Sequence, residues 1–329
     1  MLAKDFYSII SSDESTTNFL ISKNLVANNE NAECIKCGSA MNLYLRKERG
    51  KERRVLRCKR KGCQTTQTLR KDNAFWTYID KNGRLNSGLS LSQQLELVFY
   101  WTQGLSNKTI MSLTGRSSNT VCDWMNLCRD ILLKMFEKRN KFGGPDVIIQ
   151  VDKCLLRGSR KNHKGRHRLA DLPSENIEDE NDDPLENGKR NYGRRMDGPW
   201  VFGLCDDSEA RYFVVEKRDK QTLHDIIKRE VVLGSIIHSD GWPAYNGIAQ
   251  YGFTHNTVNH SENFVDPLTQ AHTQRIESLW RPLRLKVVKN MCGTSPDLLP
   301  RYLMETWWRG INKSDLFNAF LRDMAEVFV

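Results

Sequence analysis

The chain has 329 residues, with 50 Lys and Arg against 40 Asp and Glu and a formal net charge of +10. Apolar residues at 39% and aromatics at 9% exclude wholesale disorder, and the length predicts a sizeable core and roughly two domains. No apolar run approaches the roughly 18 residues of a membrane span, and the polar, acidic N-terminal stretch MLAKDFYSIISSDESTTNFL is not a secretory signal.

Residues 1–33 are polar with scattered apolar positions and read as an N-terminal tail, loose or with a short helix. Next comes Cys34-x2-Cys37-x20-Cys58-x4-Cys63, in a module spanning 34–70. Two close cysteine pairs about 20 residues apart suit a tetrahedral four-thiolate zinc site. The total of nine cysteines is odd, and without a secretory signal a reducing compartment with a metal site fits better than a disulfide framework. Ten basic residues fall within residues 46–61. Arg53, Arg54, Arg57, Lys59, Arg60 and Lys61 are candidate contacts to a phosphate backbone.

Residues 90–141 read as helical. Apolar residues recur at helical spacing, Gly104 and Gly115 break the pattern, and Ser106 and Ser117 or Ser118 are placed to cap the following helices. LSNKTIMSLTGRSSNTVCDWMNLCRD has the order of a helix-turn-helix unit. Arg116, Asn119 and Thr120 would face the groove, and Ile110, Leu113, Val121 and Trp124 would form its core. Gly143-Gly144-Pro145 is a linker signal.

From residue 146 the texture turns to strands: DVIIQVD, PWVFGLCD and RYFVVEKR, then SIIHSD and FTHNTVNH. Helical segments TLHDIIKREVV, TQRIESLWRPLRLKVV and LLPRYLMETWWRGI interleave or follow, and 313–329 reads as a last helix. This order implies an α/β domain over 146–312 with a mixed sheet and helices on its faces. The charge is uneven. Residues 1–141 hold 24 Lys and Arg against 13 acids, and residues 142–329 hold 26 against 27. The stretch 171–187 alone carries eight acids and no base, so it reads as an acidic insert in an otherwise basic domain.

Three carboxylates stand at informative places. Asp152 ends the apolar run from Val147, Asp240 ends the run from Ser235, and Glu277 lies in the first turns of a helix. Carboxylates at the ends of neighbouring strands, with a helix across them, would repel one another and invite divalent cations. Paired Mg²⁺ or Mn²⁺ ions would suit a phosphodiester displacement. Lys161, Lys164, Arg166, Arg275, Arg281 and Arg284 lie near these motifs and are candidate DNA contacts.

The series WVFGLCD…FVVEKRDKQTL…GSIIHSDGWPAYNGI…HNTVNHSENFVDP…HTQRIESLWRPLR, with CIKCGSAM…RCKRKGC ahead of it, resembles Merlin-superfamily DDE transposases and their bacterial insertion-sequence relatives. The resemblance covers roughly residues 30–312. It implies a ribonuclease-H-like fold preceded by a zinc ribbon, with Asp152, Asp240 and Glu277 as the metal-binding catalytic triad. It also implies Mg²⁺ or Mn²⁺ at the triad and Zn²⁺ at Cys34, Cys37, Cys58 and Cys63. One departure stands out: the family's first Asp is usually followed by an acid, whereas this chain has Lys153.

The expectation is a DNA transposase that binds terminal inverted repeats and catalyses metal-dependent cleavage and strand transfer. Its partners would be transposon-end and target double-stranded DNA and further copies of itself, with no membrane. A non-cleaving, domesticated DNA-binding protein and a metal-dependent nuclease without strand transfer are the alternatives. The basic segment 57–61 (RCKRK) would serve nuclear entry in a eukaryotic host, and a bacterial host would place the protein on the cytoplasmic nucleoid.

Overall fold

The computed structural model describes residues 1–27, 32–48, 51–70, 73–77, 88–156, 199–290 and 294–328. The acidic stretch 171–187 and the basic residues Lys161, Lys164 and Arg166 lie outside the described residues, as does the side chain of Arg53. The chain divides into two compact units, one formed by Met1–Arg139 with Ile311–Val329, the other by Asn140–Gly310.

In the first unit, the N-terminal stretch holds two helices rather than one short one. They are α1 (Ala3–Ile9) and α2 (Asp13–Ser22), the second opened by a capping box between Ser12 and Ser15. The few apolar positions are well spent: Phe6 and Leu20 are fully buried. Phe6 stacks on Phe99, with ring centroids 3.9 Å apart, and meets Phe317 edge-on. Those partners lie far away in sequence, so local pattern does not reveal the packing. Strands β1 (Met41–Glu48), β2 (Lys51–Cys58) and β3 (Thr66–Thr68) form a small antiparallel sheet.

Helices α3 (Leu91–Thr102), α4 (Asn107–Thr114) and α5 (Ser118–Lys138) follow. Ser106 and Ser117 cap α4 and α5 as their sequence positions suggest, and Ser90 caps α3, each accepting a backbone N–H three residues on. Gly115 ends α4 at φ 63°, a left-handed conformation suited to glycine. Ile110, Val121 and Trp124 are buried as expected, but Leu113 is 57% exposed, on the outer side of a short two-turn helix.

The second unit is built on strands β4 (Ile148–Leu155), β5 (Trp200–Cys205), β6 (Ala210–Val215), β7 (Ile236–Asp240) and β8 (Thr254–Val258). They lie in the order β6-β5-β4-β7-β8. The first three pair antiparallel, and β4, β7 and β8 pair parallel, so the sheet is mixed. Side chains alternate between its faces. Ile149, Val151, Phe202, Leu204 and Ile237 point into a core with Leu223 and Ile227 of α6 (Lys220–Glu230). Cys154, Val201 and Cys205 point to the opposite core with Ile276, Trp280 and Leu283 of α7 (Gln274–Arg284) and with Leu299 and Leu303 of α8 (Leu299–Ile311). Helix α9 (Leu316–Phe328) belongs to the first unit.

Helix α7 lies close to the sheet because one strand residue lacks a side chain. Gly203 pairs with Asp152 across β5 and β4. A Cβ there would stand 2.6 Å from the Trp280 ring and 2.9 Å from Ile276 Cδ1. Pro282 removes one backbone donor inside α7, and a π-helical turn over Leu285–Asn290 follows it. Gly203→Ala is expected to cost about 1–3 kcal/mol by overpacking and to lower the melting temperature by several degrees. An unchanged thermal unfolding curve would contradict this account of the α7 contact.

Candidate metal and DNA-processing centre

Asp152 does not end its strand. β4 continues to Leu155 because β5 pairs with it along Gln150–Leu155. β4 and β7 run parallel with Gln150 opposite His238. Two residues further along, the same register sets Asp152 level with Asp240, which ends β7. Both acids lie just past the last paired residues of the two strands, near enough that the Asp240 charge adds to the burial-driven rise in the Asp152 pKa.

Helix α7 brings the third. Gln150, a polar residue inside the apolar strand, accepts hydrogen bonds from the backbone N–H groups of Arg275 (3.0 Å) and Ile276 (3.2 Å) through its Oε1. This satisfies two donors that a helix N-terminus leaves open. Its Nε2 meets His272 Nδ1 at 3.1 Å, and the His272 N–H donates to the buried His238 Nδ1 at 3.3 Å. Burial lowers the pKa of His238, with nearby His272 adding to the effect, so its ring is held neutral. Trp280 Nε1 then donates to Asp152 Oδ2 at 2.7 Å. Two anchors, Gln150 at the helix start and Asp152 under Trp280, therefore set the position of Glu277 between them.

The three carboxylates have separate partners. Asp152 is held by Trp280; burial pushes its pKa above the ordinary carboxylate range, and the Trp280 bond opposes that rise. Asp240 Oδ2 accepts from Lys153 Nζ at 3.0 Å, and its Oδ1 accepts from the Trp242 backbone N–H at 3.1 Å. Glu277 Oε1 accepts from Thr273 Oγ1 at 2.6 Å and lies 3.1 Å from His260 Nε2. Asp152, Lys153, Glu277, Trp280, Arg281, Arg284 and Leu285 line one open cleft of about 550 Å³. Glu277, Arg281 and Arg284 share a helix face at i, i+4 and i+7.

Among the described residues, one group of three or more His, Cys, Asp or Glu has its ligand atoms all within 4.8 Å, and it is the cysteine cluster. Asp152, Asp240 and Glu277 do not draw together to that extent. For a divalent ion the donor set is therefore uneven. Asp152 is half-buried, forms no ion pair and lines the same cleft as Glu277, which suits a cation. Asp240 is already tied to an ammonium.

The cysteines come together from two turns. Cys34 and Cys37 flank a turn closed by the Gly38 N–H donating to the Cys34 carbonyl at 2.8 Å, with Gly38 at φ 69°. Cys58 ends β2, and Cys63 follows a turn with Gly62 at φ 89°. The Cys34–Cys63 and Cys37–Cys58 sulfurs are 3.7 and 3.5 Å apart. Metal–sulfur bonds of about 2.3 Å in a tetrahedron require roughly 3.8 Å between sulfurs. Hydrogen bonds from Ser39 lower the Cys37 pKa to about 6, whereas desolvation pushes Cys58 up to about 12. The set thus combines a ready thiolate with a thiol whose ionisation needs a cation.

The candidate DNA contacts are placed unevenly. Lys59, Arg60 and Lys61 are exposed on the turn between the second cysteine pair. Arg54 pairs with Glu14, and Arg57 lies over the Tyr44 ring while donating to Gln64. Asn119 is exposed and Arg116 and Thr120 are half-exposed at the start of α5. Arg281 and Arg284 are exposed on the cleft, with Arg284 Nε donating to Cys154 Sγ at 3.2 Å. Arg275 instead donates to the carbonyl of Asp207 at 2.9 Å, bracing α7 against the β5–β6 turn. Trp280, Trp307 and Trp308 are buried and pack in the helices that carry them. Sequence reading passed over Gln150 as an anchor; its signal was a lone amide in the run VIIQV.

Residues 177–310 match the family model of the ISXO2-like transposase domain. The chain resembles DDE transposases. The matched segment holds Asp240 and Glu277 and begins downstream of Asp152. No curated protein matches the chain. Similar solved structures include a Mos1 transposase paired-end complex with left transposon end, 11% identical, covering 71% of this chain and 78% of that one at a TM-score of 0.27. A pre-cleavage Mos1 transpososome is 12% identical, with coverages of 70% and 77% and a TM-score of 0.28.

Proposed function

We propose that this chain is a DNA transposase that binds the terminal inverted repeats of its element and catalyses metal-dependent cleavage and strand transfer. The observation that carries the reading is the convergence of Asp152 and Glu277 on one cleft with Arg281 and Arg284, with Asp240 in register on the next strand. The strand order, three antiparallel strands extended by two parallel ones, supports a ribonuclease-H-like assignment for the second unit.

In this reading Asp152, Asp240 and Glu277 are the acids of a centre that works with Mg²⁺ or Mn²⁺. When bound, divalent metal neutralises charge on the phosphate and makes a water or hydroxyl a better nucleophile. The chain's own groups do the rest. Arg281 and Arg284 hold phosphate oxygens at the cleft, and fixed positive charge there favours the more highly charged transition state. Gln150 and Trp280 keep α7, and with it Glu277, in place through two successive displacements. In the first, water frees a 3′-hydroxyl at the element's end. In the second, that hydroxyl attacks a phosphodiester of target DNA, joining to its phosphorus and displacing the target strand's 3′-oxygen, which leaves as a 3′-hydroxyl. Joining two ends calls for at least two copies of the chain.

The four cysteines would hold Zn²⁺ as a zinc ribbon, and Lys59, Arg60 and Lys61 on its turn would grip DNA phosphates. Helices α4 and α5 would read the repeat as a helix-turn-helix unit through Arg116, Asn119 and Thr120. Elemental analysis is expected to find about one zinc per chain and little in a Cys37→Ser, Cys58→Ser double variant; undiminished zinc in that variant would reject the site.

The catalytic reading is tested on element-end DNA with Mg²⁺ or Mn²⁺. Wild type is expected to cut and join, and Asp152→Asn and Glu277→Gln are expected to lose activity by about 10³-fold or more. Cutting without joined product would favour the nuclease alternative. Equal activity in wild type and variants would refute the assignment of the acids.

A further inference from the structure

Lys153 stands where the pattern this chain resembles usually has an acid, and the structure gives that lysine a defined place. It follows Asp152 in β4, so it leaves the sheet on the opposite face, toward α6. Its side chain then runs to the strand end, where Nζ meets Asp240 Oδ2 at 3.0 Å. The ammonium lies 4.4 Å from the Trp242 ring centroid and 5.5 Å from that of Tyr245. Its side chain is only 10% exposed. A cation enclosed by a carboxylate and two aromatic faces is fixed in place, unlike an ordinary surface lysine. It also lines the same cleft as Asp152 and Glu277.

The charges around it explain the arrangement. Asp152 and Asp240 follow the last paired residues of adjacent strands, and neighbouring carboxylates repel, so compensating positive charge favours the pair. Asp240 receives it from within the protein. A divalent ion bound to Asp240 Oδ2 would face the ammonium at contact distance, and the aromatic faces of Trp242 and Tyr245 favour keeping the ammonium where it is. Asp152 has a neutral indole N–H as its side-chain hydrogen-bond partner and no ion pair, so it is the acid left to an external cation, with Lys153 acting on it only as a minor charge.

We propose that Lys153 is a resident cation of the centre, holding Asp240 in place of one divalent ion, so that the centre takes a single divalent ion at Asp152 and Glu277. This rests on the transposase reading above and sharpens its metal requirement. The ammonium on the cleft wall would supply the second positive charge that a phosphate meets there.

The test is Mn²⁺ binding to the zinc-loaded full chain, read by calorimetry for stoichiometry and by electron paramagnetic resonance for spin coupling between neighbouring ions. Wild type is expected to bind one Mn²⁺ without a coupled-pair signal. Lys153→Met is expected to bind two and show the pair, and Lys153→Arg, which keeps the charge, to stay at one. Two coupled ions in wild type would overturn the proposal, as would a stoichiometry of one in a folded Lys153→Met. Should Lys153→Met not fold, wild type and Lys153→Glu decide by the same readouts. Two ions in wild type with metal-dependent DNA cleavage would remove the role of Lys153 and leave the transposase reading standing. No Mn²⁺ bound and no cleavage would remove both.

Discussion

The centre depends on how α7 is fastened to β4. A helix N-terminus presents backbone N–H groups without partners, and here a single side-chain oxygen, Gln150 Oε1, takes two of them inside the sheet. Two residues along the same strand and on the same face, Asp152 accepts from Trp280. On the neighbouring strand Gly203 leaves the room that the Trp280 ring and Ile276 fill. These contacts fix the helix in translation and rotation, so Glu277 reaches the same cleft as Asp152 without touching it. The geometry of this candidate centre is a consequence of ordinary helix-on-sheet packing, with two polar anchors setting the register.

Charge is shared out across the carboxylates with similar care. Each of the three acids has a different partner: an indole N–H, an ammonium, and a threonine hydroxyl with an imidazole. The partners keep the acids apart, which limits their mutual repulsion, and leave Asp152 and Glu277 facing open space. The cysteine cluster follows the opposite logic. Its four sulfurs already sit near the spacing of a tetrahedral site, because two tight turns with left-handed glycines deliver them pairwise. A preformed thiolate site in one unit and a spread set of acids in the other suit a structural ion and a working ion, respectively.

Much of this was legible in the sequence because it is local. The serine caps, the glycine breaks, the strand runs and the cysteine pairs all act over a few residues, and the structure places them where the pattern says. What the sequence withheld depends on distant partners. Lys153 meets Asp240 across 87 positions and Trp280 meets Asp152 across 128. Phe6 is buried only because Phe99 and Phe317 surround it, so the polar N-terminal stretch gives little sign of its two packed helices. The end of β4 was misread for a related reason: Lys153 interrupts the apolar run, but pairing with β5 carries the strand on to Leu155.

The central claim is that the working ion sits where α7 crosses β4, between Asp152 and Glu277. Iron-mediated cleavage of the polypeptide tests it most directly: Fe²⁺ replaces the divalent ion in zinc-loaded protein, and ascorbate with peroxide cuts the backbone beside the bound iron. The account predicts fragments ending near residues 152 and 277, both lost in Asp152→Ala. Cuts confined to other parts of the chain, or cuts at these two places that persist in Asp152→Ala, would contradict it.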